Sequence, residues 1–253
     1  MKGKGRLKNV ALIPARGGST GVKNKNLRKI CGKSLVQIAW DQCSEAGFFD
    51  LIIISTDKKD IAREISTGID FYGLKDNSYS KFEKNGILHK RDSFHSGTYS
   101  LVSDLTFNIS KDFYMENLWI IQPTSPFRSN QDFKSLKKLA DNDLDWTSLI
   151  SVKLAEAIHP YKMYYEGEYL TPVVLNDLDD SQPRQLLPKI VIKDGGFYNL
   201  KGKNLENKIF LGDKIKSYIR GSDFNVNIDT PEDLKIARHL YKGFRNKLQS
   251  NLM

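Results

Sequence analysis

The sequence predicts an α/β fold, a doubly wound and mostly parallel sheet, and three observations carry that expectation. Short apolar runs lie at Val10–Pro14, Leu51–Ser55, Leu118–Gln122 and Trp146–Val152. Strands buried on both faces read as such runs, because helices cover both sides of a parallel sheet. Amphipathic helical patterns separate them, at Ser34–Ala46, Lys59–Ile65, Thr98–Ile109 and Gln131–Ala140, which supplies the crossovers that parallel strands need. Small and polar residues gather just past the carboxyl ends of the runs, where sheets of this kind bind ligands.

The first run ends in Pro14 and breaks into a small-residue loop with Gly17, Gly18, Ser19 and Gly21, which also carries Arg16, Lys23 and Lys25. Glycines let backbone N–H groups approach an anion and the cations neutralise it, so the loop reads as a phosphate site. Basic glycine loops also serve as plain connections. Gly32-Lys33-Ser34 looks like the end of a Walker A motif, but Leu27 stands where its first glycine belongs, and no Gly-x-Gly-x-x-Gly follows the first run. The second run ends at Ser55-Thr56-Asp57, and Gly73–Gly86 reads as a polar loop over the site. The third ends at Gln122-Pro123-Thr124-Ser125. From Lys153 to Lys193 the texture changes, with alternating aromatics over Tyr161–Leu175 and then an acidic, proline-bearing stretch, Asn176–Pro188. This predicts a β-ribbon excursion from the sheet. Lys216–Ile219 and Asn225–Ile228 return to strand character. Thr230-Pro231-Glu232-Asp233 caps the last helix, with threonine at N-cap, proline at N1 and an acid at N3.

A chain of 253 residues with 40% hydrophobic residues fits one domain, 1–253, with 153–193 as an inserted segment. No apolar run reaches the roughly 18 residues of a membrane span. The basic start lacks the apolar region and cleavage site of a signal peptide. Cys31 and Cys43 are the only cysteines, so no disulfide framework is expected and the cytoplasm is the expected compartment. The net charge of +9 raises the question of nucleic acid. Against it, lysines alternate with acids, as in Lys58-Lys59-Asp60 and Lys111-Asp112, and no aromatics are interleaved with them. A small polyanion such as a nucleotide is the better partner. The four histidines, His89, His95, His159 and His239, show no metal-ligand spacing and read as incidental.

Ile13 to Ser19, Gly21 and Lys25-Asn26-Leu27 together resemble the signature of the acylneuraminate cytidylyltransferases, also called CMP-sialic acid synthetases. Thr20 stands where that family has a lysine. The resemblance recurs along the chain. Gln122 to Arg128 looks like the family's Gln-Pro-Thr-Ser-Pro-Leu-Arg, although alone it would read as a turn after a strand. Asp194-Gly195-Gly196-Phe197-Tyr198 resembles Asn-Gly-Ala-Ile-Tyr, and Asn227 to Leu234 resembles Asp-Ile-Asp-Thr-Pro-Glu-Asp-Leu, with Asn227 in place of the first acid. Lys90-Arg91-Asp92-Ser93-Phe94-His95-Ser96 departs furthest, keeping Arg91 but not the proline after it.

The resemblance implies a fold like that of the nucleotide-diphospho-sugar transferases, and a homodimer built by the 153–193 ribbon. It implies a cytidylyltransferase in which the anomeric hydroxyl of an acidic nine-carbon α-keto sugar attacks the α-phosphate of CTP. Arg16, Gly18, Ser19, Thr20, Lys23, Lys25 and Asn26 would hold the nucleotide, with Arg91 assisting. Gln122, Arg184 and Tyr198 would hold the sugar, and Phe210 and Leu211 would wall its N-acyl group. An arginine fork such as that of Arg184 suits a carboxylate, although alone it reads as a solvated surface charge. Asp229 would anchor Mg²⁺, with Asn227 beside it, since residues two apart on a strand share a face. Alone, Asp229 is equally a turn acid. Arg16, Lys25 and Asp229 are then the catalytic set. Because Thr20 and Asn227 each remove a charge, a catalytically weakened member that binds nucleotide or sugar in a regulatory role is the alternative.

Overall fold

The computed structural model describes residues 6–19, 21–97, 99–142, 145–155, 159–174, 183–220 and 224–250. Eight strands make the main sheet: β1 (Leu7–Pro14), β2 (Leu51–Thr56), β3 (Ser78–Lys81), β4 (Gly86–Lys90), β5 (Met115–Ile120), β6 (Ser148–Leu154), β7 (Val191–Lys201) and β8 (Ile215–Ile219). Their order across the sheet is β8-β6-β7-β5-β1-β2-β4-β3. Only β7 and the edge strand β3 run antiparallel to their neighbours. The expected doubly wound, mostly parallel sheet is what forms.

Alternation along β1 explains how both faces are covered. Val10 and Leu12 turn into a cluster with Leu105 and Ile109 of α3 (Val102–Ser110) and Leu205 of α5 (Gly202–Glu206). Ala11 and Ile13 turn the other way, onto α1 (Leu35–Ala46), α2 (Lys59–Ile65) and α4 (Asn130–Asn142). A third cluster seats α6 (Pro231–Ser250) against α1 through Leu35, Ile38, Leu234, Ala237, Tyr241 and Phe244. The expected cap of α6 is present as a reciprocal pair. The Asp233 N–H donates to Thr230 Oγ1 at 3.1 Å, and the Thr230 N–H donates to Asp233 Oδ2 at 2.8 Å.

Four expectations need correction. The Gly73–Gly86 segment is not all loop, because Ser78–Lys81 pairs with Ile87–Lys90 as a hairpin at the sheet edge. Val226 and Ile228 are part of no strand; the Ile228 N–H is taken by the Thr124 carbonyl at 2.8 Å. The helix expected from Thr98 starts at Val102, after a Gly97–Ser100 turn. The excursion begins later and ends earlier than Lys153 and Lys193, which lie inside the β6–β7 ladder. Beyond it the ribbon is a two-residue antiparallel ladder, Tyr164–Tyr165 with Thr171–Pro172. Residues 175–182 of the segment lie outside the described residues. Among the described residues no helix is long and apolar enough to cross a membrane.

Candidate active site

A cleft of about 420 Å³ opens at the carboxyl ends of β1, β4 and β5. The loop after β1 is folded onto its neighbours by specific bonds. The Ala15 N–H reaches the Ser55 carbonyl at 2.8 Å, and the Gly17 N–H reaches Asp57 Oδ1 at 2.7 Å. Asn26 is buried, and its Nδ2 donates to the Arg16 carbonyl at 2.8 Å, closing the loop on itself. Arg16 Nη1 donates to the Gly97 carbonyl at 2.7 Å and so ties the loop to the segment before α3.

The far wall comes from the segment before α6. Lys25 Nζ donates to Asp229 Oδ1 at 2.9 Å, and Asn227 Nδ2 donates to Asp229 Oδ2 at 2.6 Å. Ser125 Oγ donates to Asn227 Oδ1 at 3.0 Å. Gly21 permits this approach, since a Cβ there would stand 2.1 Å from the Asp229 carbonyl oxygen. Gly195, at φ +73°, is equally constrained, because a Cβ would come within 3.1 Å of Ser125 Oγ and 3.3 Å of Gln122 Oε1.

The sheet side is rigid. Arg128 is buried and donates from Nη1 to the carbonyls of Gln122, at 2.8 Å, and Gly196, at 3.2 Å. Burial pushes its guanidinium down to about 10. Asp194 and Arg220 form a buried ion pair at 2.5 Å. Arg220 also holds the Phe127 carbonyl, and Asp194 also accepts from Ser151 and the Gly196 N–H. Burial alone would raise the Asp194 carboxyl, but the Arg220 charge and these hydrogen bonds hold it below the usual carboxylate range.

Of the expected site residues, Arg16, Ser19, Lys25, Asn26, Arg91, Gln122, Asn227 and Asp229 line the one cleft. Arg91 is buried and committed to the protein. Its Nε donates to Ser55 Oγ, its Nη2 to the Ser55 carbonyl and its Nη1 to the His95 carbonyl, at 3.2, 3.0 and 3.3 Å. Burial lowers the guanidinium to about 10, with Arg16 adding to the effect and Asp57 opposing it. Gly18 and Lys23 are outside the lining, and the exposed Lys23 uses its carbonyl to hold Arg28 Nε. Tyr198, Phe210 and Leu211 are outside it too, packed on the apolar cluster that contains Leu105, itself a lining residue. Thr20 lies outside the described residues, as does the side chain of Arg184, whose backbone starts a 3₁₀ turn.

Sequence reasoning did not single out Ser125, Arg128, Asp194 or Arg220 as positioning groups. The first three sit inside motifs already marked, and that was their signal. Arg220 had none. Among the described residues no three His, Cys, Asp or Glu side chains gather as a metal cage. Asp229 is the one carboxylate lining the cleft, more than half exposed. One hard oxygen ligand beside a phosphate site fits Mg²⁺, which keeps several waters and shares its coordination with substrate phosphates.

A mostly parallel sheet with a basic glycine loop after its central strand and a lone acid opposite defines a nucleotide-handling enzyme. Comparison with known proteins narrows the class. Residues 10–77 match the cytidylyltransferase family model. The CMP-N,N'-diacetyllegionaminic acid synthase of Legionella pneumophila is 25% identical over 91% of this chain and 95% of its own length. The pseudaminic acid cytidylyltransferase of Campylobacter jejuni is 24% identical over 93% and 97%. The N-acylneuraminate cytidylyltransferase of Escherichia coli is 27% identical over 92% of this chain and 52% of that protein. In fold, the chain is similar to a CMP:2-keto-3-deoxy-manno-octonic acid synthetase complexed with CTP, with a TM-score of 0.65 at 16% identity over 93% and 99% of the two chains. It is also similar to the 4-diphosphocytidyl-2C-methyl-D-erythritol synthase of Anaerococcus prevotii, with a TM-score of 0.61 at 17% identity over 93% and 96%. The chain is thus similar, at about 25% identity over most of its length, to proteins named as cytidylyltransferases, which are nucleotidyltransferases.

Proposed function

We propose that this protein transfers the cytidylyl group of CTP to an acidic nine-carbon α-keto sugar, giving the CMP-sugar and pyrophosphate. The observation that carries the reading is the convergence of Arg16 and Lys25, Gln122, and Asp229, from three distant parts of the chain, on one cleft. The anomeric hydroxyl attacks the α-phosphorus; the new P–O bond forms as the α–β bridge breaks, and the hydroxyl proton passes to solvent. Such transfers need positioning and charge neutralisation more than covalent help.

In this reading Ser19 and the loop N–H groups meet the phosphates, and Arg16 and Lys25 neutralise them. Gln122 has an amide that both donates to and accepts from sugar hydroxyls. Its backbone is pinned by Arg128, so the amide is presented at a fixed depth. Arg184 and Tyr198 are proposed for the sugar carboxylate and ring, with Phe210 and Leu211 at its acyl group. Mg²⁺, held by Asp229 and the phosphates, would withdraw charge from the α-phosphate and acidify the attacking hydroxyl. Asn227 offers its nitrogen to Asp229, so it joins the ion only after its amide turns round.

A cytoplasmic homodimer completes the proposal. The 153–193 segment exposes Tyr165, Tyr169, Leu170 and Leu186, apolar surface that a second copy would cover. The relatives named above are synthases or cytidylyltransferases, and none supports the catalytically silent alternative. Pyrophosphate release measured with CTP, Mg²⁺ and a panel of sialic, pseudaminic and legionaminic acids tests the function. Release with none of them, under conditions where CTP binds, overturns it. Stabilisation by CTP should exceed that by ATP, GTP or UTP; equal shifts would remove the cytidylyl assignment.

A further inference from the structure

His95 lines the cleft beside Arg91, in the stretch where the chain departs furthest from its relatives' motif. Its backbone N–H and its Nδ1 both meet Asp92 Oδ1, at 2.8 and 2.7 Å, so one carboxylate fixes the ring. Asp92 is braced in turn by Asn77 Nδ2 at 2.7 Å. Burial works against its charge, but the bonds from His95 and Asn77 hold the carboxyl below the usual range. The Phe94 ring packs edge-on against the imidazole with centroids 5.0 Å apart. Nδ1 therefore serves Asp92, and Nε2 takes part in none of the hydrogen bonds found for His95 among the described residues.

A carboxylate on Nδ1 decides what Nε2 can do. In the neutral ring Nδ1 keeps the proton and Nε2 offers a lone pair, which repels an anion. In the imidazolium both nitrogens donate. The surroundings set the balance. Arg91 Nη1 is on the His95 carbonyl, and Arg16 Nη1 is on the Gly97 carbonyl two residues on. The titratable and charged groups around the ring are thus Arg91, Arg16, the neighbouring His89 and the carboxylate of Asp92, with Asp57 next to Arg91. Lys25 gives one of its three N–H donors to Asp229, and Arg91 gives one N–H from each of its nitrogens to the protein. A polyphosphate entering this wall finds in His95 a further donor once the ring is an imidazolium.

We propose that His95 is a substrate-contacting residue: positioned by Asp92, its Nε2 donates to the nucleotide triphosphate as imidazolium, so that binding takes up a proton. The inference rests on the reading of this cleft as the CTP site.

The test is calorimetric titration of CTP into the full chain, in two buffers of different ionisation enthalpy, from about pH 6 to about pH 8. Uptake of a fraction of a proton is expected near neutrality. It has the opposite sign to the release that a CTP phosphate gives on meeting cations. Affinity of the wild type should fall about tenfold more across this range than that of His95→Gln. His95→Lys should bind at both ends of the range without uptake, and Asp92→Asn should move the uptake to lower pH. Equal pH dependence in wild type and His95→Gln, or no uptake in the wild type should His95→Gln not fold, overturns the inference alone. A wild type that binds no CTP overturns the cleft reading and this inference with it.

Discussion

Lys25 Nζ and Asp229 Oδ1 meet at 2.9 Å across 204 residues of chain, and this contact sets what substitution there will do. Lys25→Ala and Arg16→Ala each remove one charged donor from a cleft that would hold a triphosphate. A charge-assisted hydrogen bond contributes about 1.5–3 kcal/mol, so CTP affinity should fall roughly ten- to hundredfold while the unfolding midpoint without ligand barely moves. Titration calorimetry with a melting curve separates the two effects; unfolding with CTP affinity intact would make these residues structural. Asn227 gives the sharpest case. Asn227→Asp replaces an N–H donor to Asp229, now at 2.6 Å, with a second carboxylate. Like charges so close cannot both ionise freely, so the ligand-free protein should melt lower. Mg²⁺ with CTP should then stabilise the variant more than the wild type and support turnover at lower Mg²⁺, while Asp229→Asn should abolish turnover at every Mg²⁺ level. Turnover unaffected by Asp229→Asn would place the metal elsewhere. The site residues in the opening loop were legible because glycine and cation chemistry is local. Arg220 was not, since its partner Asp194 lies 26 residues away and only the fold joins them.

Strands β4 and β7 were the elements hardest to read, and both carry buried polar groups. In β7, Asp194 and the positive φ of Gly195 interrupt the apolar pattern, and the ladder with β6 shifts register between Lys193 and Tyr198. That irregularity is what aims Gly195 at Ser125 and Gln122. The 225–228 segment misled in the opposite sense, alternating like a strand while its backbone bonds a loop. In β4, His89 is fully buried. Ser55 Oγ accepts from Arg91 Nε at 3.2 Å and shares a hydrogen bond with His89 Nδ1 at 2.9 Å. Burial and the Arg91 charge depress the His89 imidazole from 6.5 to about 4. A depressed histidine stabilises the fold fully above its unfolded value and loses that contribution as pH falls from about 6.5 towards about 4. Chemical denaturation across this window should show a loss of order 3 kcal/mol, absent in His89→Gln; equal pH slopes would refute it. Asp194→Asn or Arg220→Met leaves a buried charge alone and should cost about 3–5 kcal/mol. Melting curves should show both variants well below the wild type, and unchanged curves would mean that the pair is dispensable.

At the scale of the molecule, both faces of the sheet carry helices, and the proposed site lies at the ends of its strands. Helices cover both faces, and the 153–193 segment is one of the places where aromatic and aliphatic side chains meet solvent, as the stretch with Phe94, Tyr99 and Leu101 before α3 is another. Tyr169 is 81% and Leu186 72% exposed. Light scattering at micromolar concentration should give twice the 28.9 kDa chain mass, and a double change of Tyr169 and Leu170 to serine should shift it towards one chain. A wild type at the single-chain mass would end the dimer proposal. The chain order of the cleft has a further consequence for biosynthesis. Its walls come from residues 14–26, 91–105, 122–124 and 227–229, so a growing polypeptide displays the glycine loop 204 residues before the Asp229 carboxylate that closes on Lys25. A nascent chain halted before that point would carry a bare cationic loop, open to any cellular polyphosphate and unable to discriminate. Tight, selective nucleotide capture would then be a property of chains that have passed Asp229, and a ligand that binds only those will favour their fold over that of chains halted before it.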